Sequence, residues 1–128
     1  MSANIQGQEP RTILIAEDDE DIVPLIGHYL EEEGYQALVA MNQKQLHATM
    51  KQHQPDMIIM DYNFREADGV ELSKELFDSG YKGKIIMLTA SSGEAIVKLA
   101  MQAGCSDFIT KPIDREKLLL SIALHLND

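Results

Sequence analysis

Met57-Ile58-Ile59-Met60-Asp61 sets four apolar side chains in an unbroken row and then changes, without a spacer, to a carboxylate. A strand with one face in water alternates apolar and polar residues, so an unbroken run bounded by Pro55 and Asn63 predicts a strand covered on both faces. Its C-terminal end is Asp61. In open parallel α/β sheets, ligands are held in the crevice beyond the strands' C-terminal ends, which places Asp61 for chemistry. For a lone Asp the plainer use is a turn or a helix cap near Gly69, and the rest of the chain decides between the two.

Upstream, Thr12-Ile13-Leu14-Ile15-Ala16 is a second apolar run that ends in acids, here Glu17, Asp18 and Asp19. From about Glu20 the spacing becomes helical, with Ile22, Leu25, Ile26, Tyr29 and Leu30 on one stripe and a stop at Gly34. Pro24 fits only in a first turn, where its missing N–H costs nothing, so the helix is predicted to start near Glu20. The acids Asp19 to Asp21 suit the positive end of that helix dipole. Tyr35 to Ala40 is a weaker strand suited to a sheet edge, and Asn42 is placed to cap a helix carrying Leu46 and Met50.

Downstream of Asp61 the sequence predicts a polar loop from Asn63 to Asp68 and a helix from Gly69 to Gly80. A strand follows at Lys84 to Leu88, ending in Thr89, then a helix from Glu94 to Ala103 closed by Gly104. A short strand over 107–110 runs into Lys111-Pro112, and Asp114 caps a last helix. Five strand–helix alternations with short connections define a doubly wound parallel sheet, a three-layer (βα)5 sandwich of the flavodoxin-like type. Five strands fit the order 2-1-3-4-5 better than the six-stranded dinucleotide arrangement. Strands one and three are then neighbours, and Glu17, Asp18 and Asp61 meet in one crevice.

The 128 residues suffice for one domain, read as a polar N-terminal tail over 1–11 and a folded unit over 12–128. A formal net charge of -10 argues against direct attraction to nucleic acid or anionic lipid. No apolar stretch approaches the roughly 20 residues that span a bilayer, and the N-terminal stretch lacks a secretory pattern, so a cytoplasmic location is expected. The single Cys105 excludes an internal disulfide and reads as a small core residue. His28, His47, His53 and His125 fall at no metal-ligand spacing and read as surface residues.

Three converging carboxylates either take up protons or recruit a cation, and oxygen-only ligands favour a hard ion such as Mg²⁺. Lys111 and Thr89, at the ends of the next strands, add an ammonium and a hydroxyl across the crevice. A metal, a positive charge and a hydrogen-bond donor are what a phosphoryl group needs around its oxygens, and Asp61 remains as nucleophile.

With these residues in place, the chain from Thr12 to Leu126 resembles the receiver domain of two-component response regulators, the CheY-like family. The motifs that carry the resemblance are Ile-Ala-Glu-Asp-Asp with Glu17 and Asp18, Met-Asp-Tyr-Asn with Asp61, Asp68-Gly69, Leu-Thr-Ala with Thr89, and Thr-Lys-Pro-Ile with Lys111. The resemblance implies that Asp61 is phosphorylated by a sensor histidine kinase or a phosphotransfer protein. It also implies that Asp18, Asp61 and the backbone carbonyl of Asn63 bind Mg²⁺, with Glu17 acting mostly through water. Lys111 and Thr89 would hold the acyl phosphate, and Thr89 and Phe108 would form the switch, with a cis bond before Pro112. Phe108 stands where many relatives have Tyr; packing alone is the plainer account of a buried aromatic.

Arg65 and Ala67 depart from the family's usual loop residues, and a solvated Arg65 is the plainer expectation against one reaching a phosphoryl oxygen or a partner carboxylate. Asn63 and Ser91 flank the path of a hydrolytic water, and neither is a strong base, so slow hydrolysis is expected. The helix over 94–103 carries too many apolar residues for one stripe, which marks its outer face for an output domain, an effector or a homodimer partner. The expected role is therefore a phosphoacceptor switch and not a turnover enzyme. The rival is a small Mg²⁺-dependent aspartyl phosphohydrolase, which usually has a second Asp where Asn63 stands. A nucleotide or flavin module would want a Gly-rich loop after strand one, where this chain is acidic. A stand-alone receiver and the front part of a longer regulator fit the sequence equally.

Overall fold

The computed structural model describes residues 10–90 and 93–127. Five parallel strands form the sheet: β1 (Thr12–Ala16), β2 (Gln36–Ala40), β3 (Met57–Asp61), β4 (Lys84–Thr89) and β5 (Asp107–Thr110). Their order is 2-1-3-4-5, as the sequence predicts, with β2 and β5 at the edges. The helices between them are α1 (Ile22–Glu32), α2 (Gln43–Gln52), α3 (Gly69–Asp78), α4 (Glu94–Gln102) and α5 (Arg115–Leu126).

Side chains alternate across a strand, so each central apolar run feeds two cores. Leu14, Ile58, Met60, Ile85 and Met87 point to one side, where they meet α2, α3 and α4 through residues such as Leu46, Leu72 and Ala100. Ile13, Ile15, Ile59, Ile86 and Leu88 point to the other, against Ile26 and Leu30 of α1 and Leu118 and Ile122 of α5. All five residues of β3 are buried, which is why that strand needs apolar residues at both parities. Cys105 is buried as expected, and desolvation pushes its thiol up.

Local chemistry ends the helices where the sequence calls for it. The Asn42 side chain accepts the Gln45 N–H (2.8 Å), and Asp114 accepts that of Lys117 (3.2 Å). Gly34 and Gly104 follow α1 and α4 at φ 85 and 104, conformations that a side chain would oppose.

The boundaries shift in places. α1 begins at Ile22, two residues later than predicted, because Asp19 Oδ1 gathers the N–H groups of Asp21 (2.8 Å) and Ile22 (3.3 Å) into a turn ahead of the helix. Pro24 still falls in the first turn. β2 starts at Gln36 instead of Tyr35, and α4 ends at Gln102 instead of Ala103. The larger correction concerns the stretch after Asp61. The predicted polar loop is a two-rung antiparallel ladder, with Asn63 opposite Asp68 and Phe64 opposite Ala67. Phe64 is fully buried in the core and draws the ladder down onto the sheet, while Arg65 turns the chain at φ 45 and its carbonyl accepts the Ala67 N–H.

Candidate functional site

Asp61 closes β3 at the C-terminal edge of the sheet and is 4% exposed. Its backbone is held on both sides. Tyr62 N–H donates to the Leu88 carbonyl (2.8 Å), and Gly69 N–H donates to the Tyr62 carbonyl (2.7 Å). The second contact brings the start of α3 so close that a Cβ on Gly69 would collide with the Asp61 carbonyl and lie 2.9 Å from Tyr62 Cα. Asp68, just before it, caps α3 by accepting the N–H groups of Val70 (2.8 Å) and Glu71 (3.3 Å). Asp68 therefore does the capping that a lone carboxylate after β3 could have done, and Asp61 is left to the crevice.

Glu17 and Asp18 follow β1 immediately. Glu17 N–H donates to the Ala40 carbonyl (3.2 Å), which extends the β1–β2 pairing to the rim. Its Oε2 accepts the N–H groups of Asp18 (3.0 Å) and Asp19 (3.1 Å), so the acidic turn is folded around one of its own carboxylates. Glu17, Asp18 and Asp61 each bring a carboxylate oxygen within 4.8 Å of the others.

Lys111 enters from the end of β5. Its backbone N–H donates to the Thr89 carbonyl (2.8 Å), and its Nζ donates to Asp61 Oδ1 (3.2 Å) and pairs with Glu17 Oε1 at 2.9 Å. The approach to Glu17 Oε1 gives charge compensation without hydrogen-bond alignment, so this buried oxygen keeps a lone pair without an aligned donor. Asp61 Oδ1 also accepts the Asn63 N–H at 3.3 Å.

The electrostatics follow from burial. Desolvation pushes the Glu17 carboxyl up, the Lys111 ammonium pulls it back, and the charge of Asp61 pushes it up again. Desolvation works against the Lys111 ammonium too, but the two carboxylates outweigh it and hold its pKa above the usual lysine value. Two buried carboxylates facing one ammonium, with Asp18 beside them, make a pocket short of positive charge. An all-oxygen donor set with that deficit, and with one buried oxygen lacking an aligned donor, fits a hard divalent cation.

Thr89 ends β4 beside this group and is 1% exposed. Phe108 lies opposite Met87 in β5, partly buried against the core on the α2–α4 side. The Lys111-Pro112 peptide is cis. Arg65 is exposed, and its Nε reaches the Met41 carbonyl at 3.4 Å, so its partner is the turn after β2. Ser91 lies outside the described residues. Of the histidines, His28, His47 and His53 are exposed, whereas His125 is half-buried with Nε2 3.5 Å from Asp107 Oδ2. On α4, Leu99 is 50% and Met101 47% exposed while Ala100 is buried, so the helix does turn apolar residues outward. Sequence reasoning missed Phe64 and Gly69 as the pieces that hold the stretch after Asp61 in place. An aromatic inside a polar stretch was the available signal.

A doubly wound sheet with an acidic triad, a lysine and a threonine at its switch point defines a phosphoacceptor class of domain. The chain belongs to the response regulator receiver domain family, whose model matches residues 13–123. It is 34% identical over 116 residues to the chemotaxis protein CheY of Bacillus subtilis, covering 90% of this chain and 97% of that protein. It is 32% identical over 102 residues to the alkaline phosphatase synthesis transcriptional regulatory protein PhoP of the same species, covering 80% of this chain and 42% of that protein. The chain thus spans a little under half the length of several regulators that it matches. In fold it is similar to the receiver domain of sensor histidine kinase PA1611 from Pseudomonas aeruginosa, described with a magnesium ion coordinated in its active-site cleft. The TM-score is 0.83 at 24% identity, covering 93% of this chain and 99% of that one. It is a receiver domain of two-component signalling, of the kind phosphorylated on aspartate. Among the described residues, no helix is long and apolar enough to cross a membrane.

Proposed function

We propose that Asp61 is the phosphoacceptor and that the domain acts as a switch driven by the charge placed there. The observation that carries this reading is the Lys111 ammonium 3.2 Å from Asp61 Oδ1, opposite a triad of carboxylates that need a cation. Asp18, Asp61 and the Asn63 carbonyl would hold Mg²⁺, with Glu17 engaged through water, in keeping with the magnesium described for the related cleft. The metal, when bound, supplies positive charge to offset phosphoryl oxygens.

The chain's own residues do the rest. An Asp61 oxygen bonds to phosphorus as the P–N bond of a phosphohistidine breaks, and the electron pair returns to the imidazole nitrogen. Lys111 moves its ammonium from the free carboxylate to the phosphoryl oxygens, and the Thr89 hydroxyl donates to another. The pull on Thr89 is passed to Phe108, which packs closer in the phosphorylated state. The donor is a sensor histidine kinase or a phosphotransfer protein. The α4 face with Leu99 and Met101 receives an output domain, an effector or a second copy.

Residues 12–128 form the receiver unit, 1–11 its polar lead, and the setting is the cytoplasm. Asn63 offers no acid–base group, so the domain is not a turnover phosphohydrolase, and its acyl phosphate outlasts a few seconds. Incubation with acetyl phosphate followed by intact-mass measurement tests the reading. One phosphoryl addition that requires Mg²⁺ and is missing in Asp61→Asn is expected. Equal addition to the variant, or multiple turnover of a small phosphate ester, would overturn it.

A further inference from the structure

Arg65 holds its backbone in the left-handed region at φ 45, and among the described residues no other side-chain-bearing residue does so. A Cβ disfavours that conformation, and the first position of a two-residue hairpin turn is ordinarily given to glycine when φ is positive there. A strained residue four positions beyond a reacting carboxylate points to a task for its side chain. The guanidinium has one: Nε donates to the Met41 carbonyl at 3.4 Å, 24 positions upstream. Met41 follows β2 and Arg65 follows β3, and these two strands flank β1 in the sheet. The Arg65 side chain therefore ties together the segments on either side of the end of β1, from which Glu17 and Asp18 emerge.

Both ends of the tie are anchored. On the β2 side, the Ala40 carbonyl accepts the Glu17 N–H (3.2 Å), and the Met41 N–H donates to Gln45 Oε1 (2.8 Å) at the start of α2. On the β3 side, the ladder pairs Asn63 with Asp68 and Phe64 with Ala67, and Phe64 is buried beneath it. The Asn63 N–H at the base of that ladder donates to Asp61 Oδ1 (3.3 Å). Glu17 and Asp18 on one side and Asp61 and Asn63 on the other are thus joined behind the carboxylate pocket by a single side chain.

We propose that Arg65 is a positioning residue that preorganises this pocket for a divalent cation, acting through its hydrogen bond to Met41 and not through its charge. The inference rests on the Mg²⁺ site proposed for Asp18, Asp61 and the Asn63 carbonyl. Second-sphere groups that fix the orientation of ligands raise metal affinity without touching the metal. The charge of an exposed arginine works the other way, since a cation near the pocket repels Mg²⁺. The two contributions of the side chain have opposite signs, and substitutions separate them.

Arg65→Gln keeps a nitrogen donor at the same depth along the side chain and removes the charge, whereas Arg65→Met has similar length and neither donor nor charge. Mg²⁺ titration by calorimetry should give Arg65→Gln at least the parental affinity, and Arg65→Met an affinity about fivefold below that of Arg65→Gln, the change equivalent to one ordinary hydrogen bond. In metal-free protein, amide exchange at Asn63 should be about fivefold faster in Arg65→Met than in Arg65→Gln. Urea midpoints of the two variants should agree, because the position is exposed. Equal Mg²⁺ affinity in the two variants, tighter binding by Arg65→Met than by the parent, or equal exchange at Asn63 would overturn the proposal. The exchange comparison needs no metal, so a parent that fails to bind Mg²⁺ while the variants differ in exchange would fault the metal site and leave the tie standing.

Discussion

Lys111 and Asp61 are 50 positions apart in the chain, and the ammonium of one donates to the carboxylate of the other at 3.2 Å. The same ammonium compensates Glu17, which is 1% exposed, so a single side chain holds two buried negative charges together. Replacing it as Lys111→Met leaves both carboxylates with backbone N–H donors only and no cationic partner. Removing one member of a buried ion pair costs about 3 kcal/mol or more, and the partial exposure of Lys111 reduces that to about 2 kcal/mol. Urea unfolding should report that loss, and Mg²⁺ should bind the variant more tightly than the parent because the competing cation is gone. Labelling by acetyl phosphate should nonetheless fall by about 100-fold, the effect of losing one preorganised group that stabilises developing charge. Unchanged Mg²⁺ affinity would contradict the placement of the metal beside Lys111.

Gly69 and Gly27 make a matched pair of opposite sign. A methyl group on Gly69 meets the Asp61 and Tyr62 backbone, which cannot rotate away, so Gly69→Ala should destabilise by about 2 kcal/mol. It should also weaken Mg²⁺-dependent labelling by displacing the Asp61 backbone. Gly27 lies within α1, with nothing within 4 Å of an added Cβ, so Gly27→Ala should stabilise by up to about 1 kcal/mol. Denaturant midpoints of the two variants check both signs.

Tyr81 gives the protein an alkaline limit. Its hydroxyl donates to the buried Pro55 carbonyl at 2.9 Å; burial pushes the phenol well up, and the nearby Asp56 charge adds to the effect. The folded state therefore keeps a proton that the unfolded chain releases near pH 10. Stability is fully present below that pH and falls as pH rises above it, by up to about 1.4 kcal/mol per pH unit for this one group. Tyr35 is also shifted up, by burial first and the Glu33 charge second, and contributes in the same direction. Tyr81→Phe should lose about 1 kcal/mol at neutral pH through the abandoned carbonyl and show a shallower alkaline decline. Unfolding curves from about pH 8 to 11 measure both.

The parts of this structure that were legible in the sequence share a physical cause. Unbroken apolar runs in β1, β3 and β4 can only be central strands, and that fixes the sheet order and the meeting of Glu17, Asp18 and Asp61 at the switch point. Asn42 and Asp114 were legible as caps because a short polar side chain there has one good use. The start of α1 was not, since the consecutive acids from Asp18 to Asp21 are equivalent in sequence, and only the fold selects Asp19 to gather the amide groups. The ladder around Arg65 was hidden because two-residue pairings carry no periodicity and the left-handed position is filled by an arginine.

The central claim is that the carboxylate of Asp61 takes the phosphoryl group. Borohydride reduction of the acetyl phosphate-treated protein converts an aspartyl phosphate to homoserine, and peptide mass mapping then locates it. Homoserine at position 61, dependent on Mg²⁺ during labelling, is the predicted result. Homoserine at Asp18 or another aspartate, or none anywhere after demonstrated phosphoryl uptake, would contradict the account.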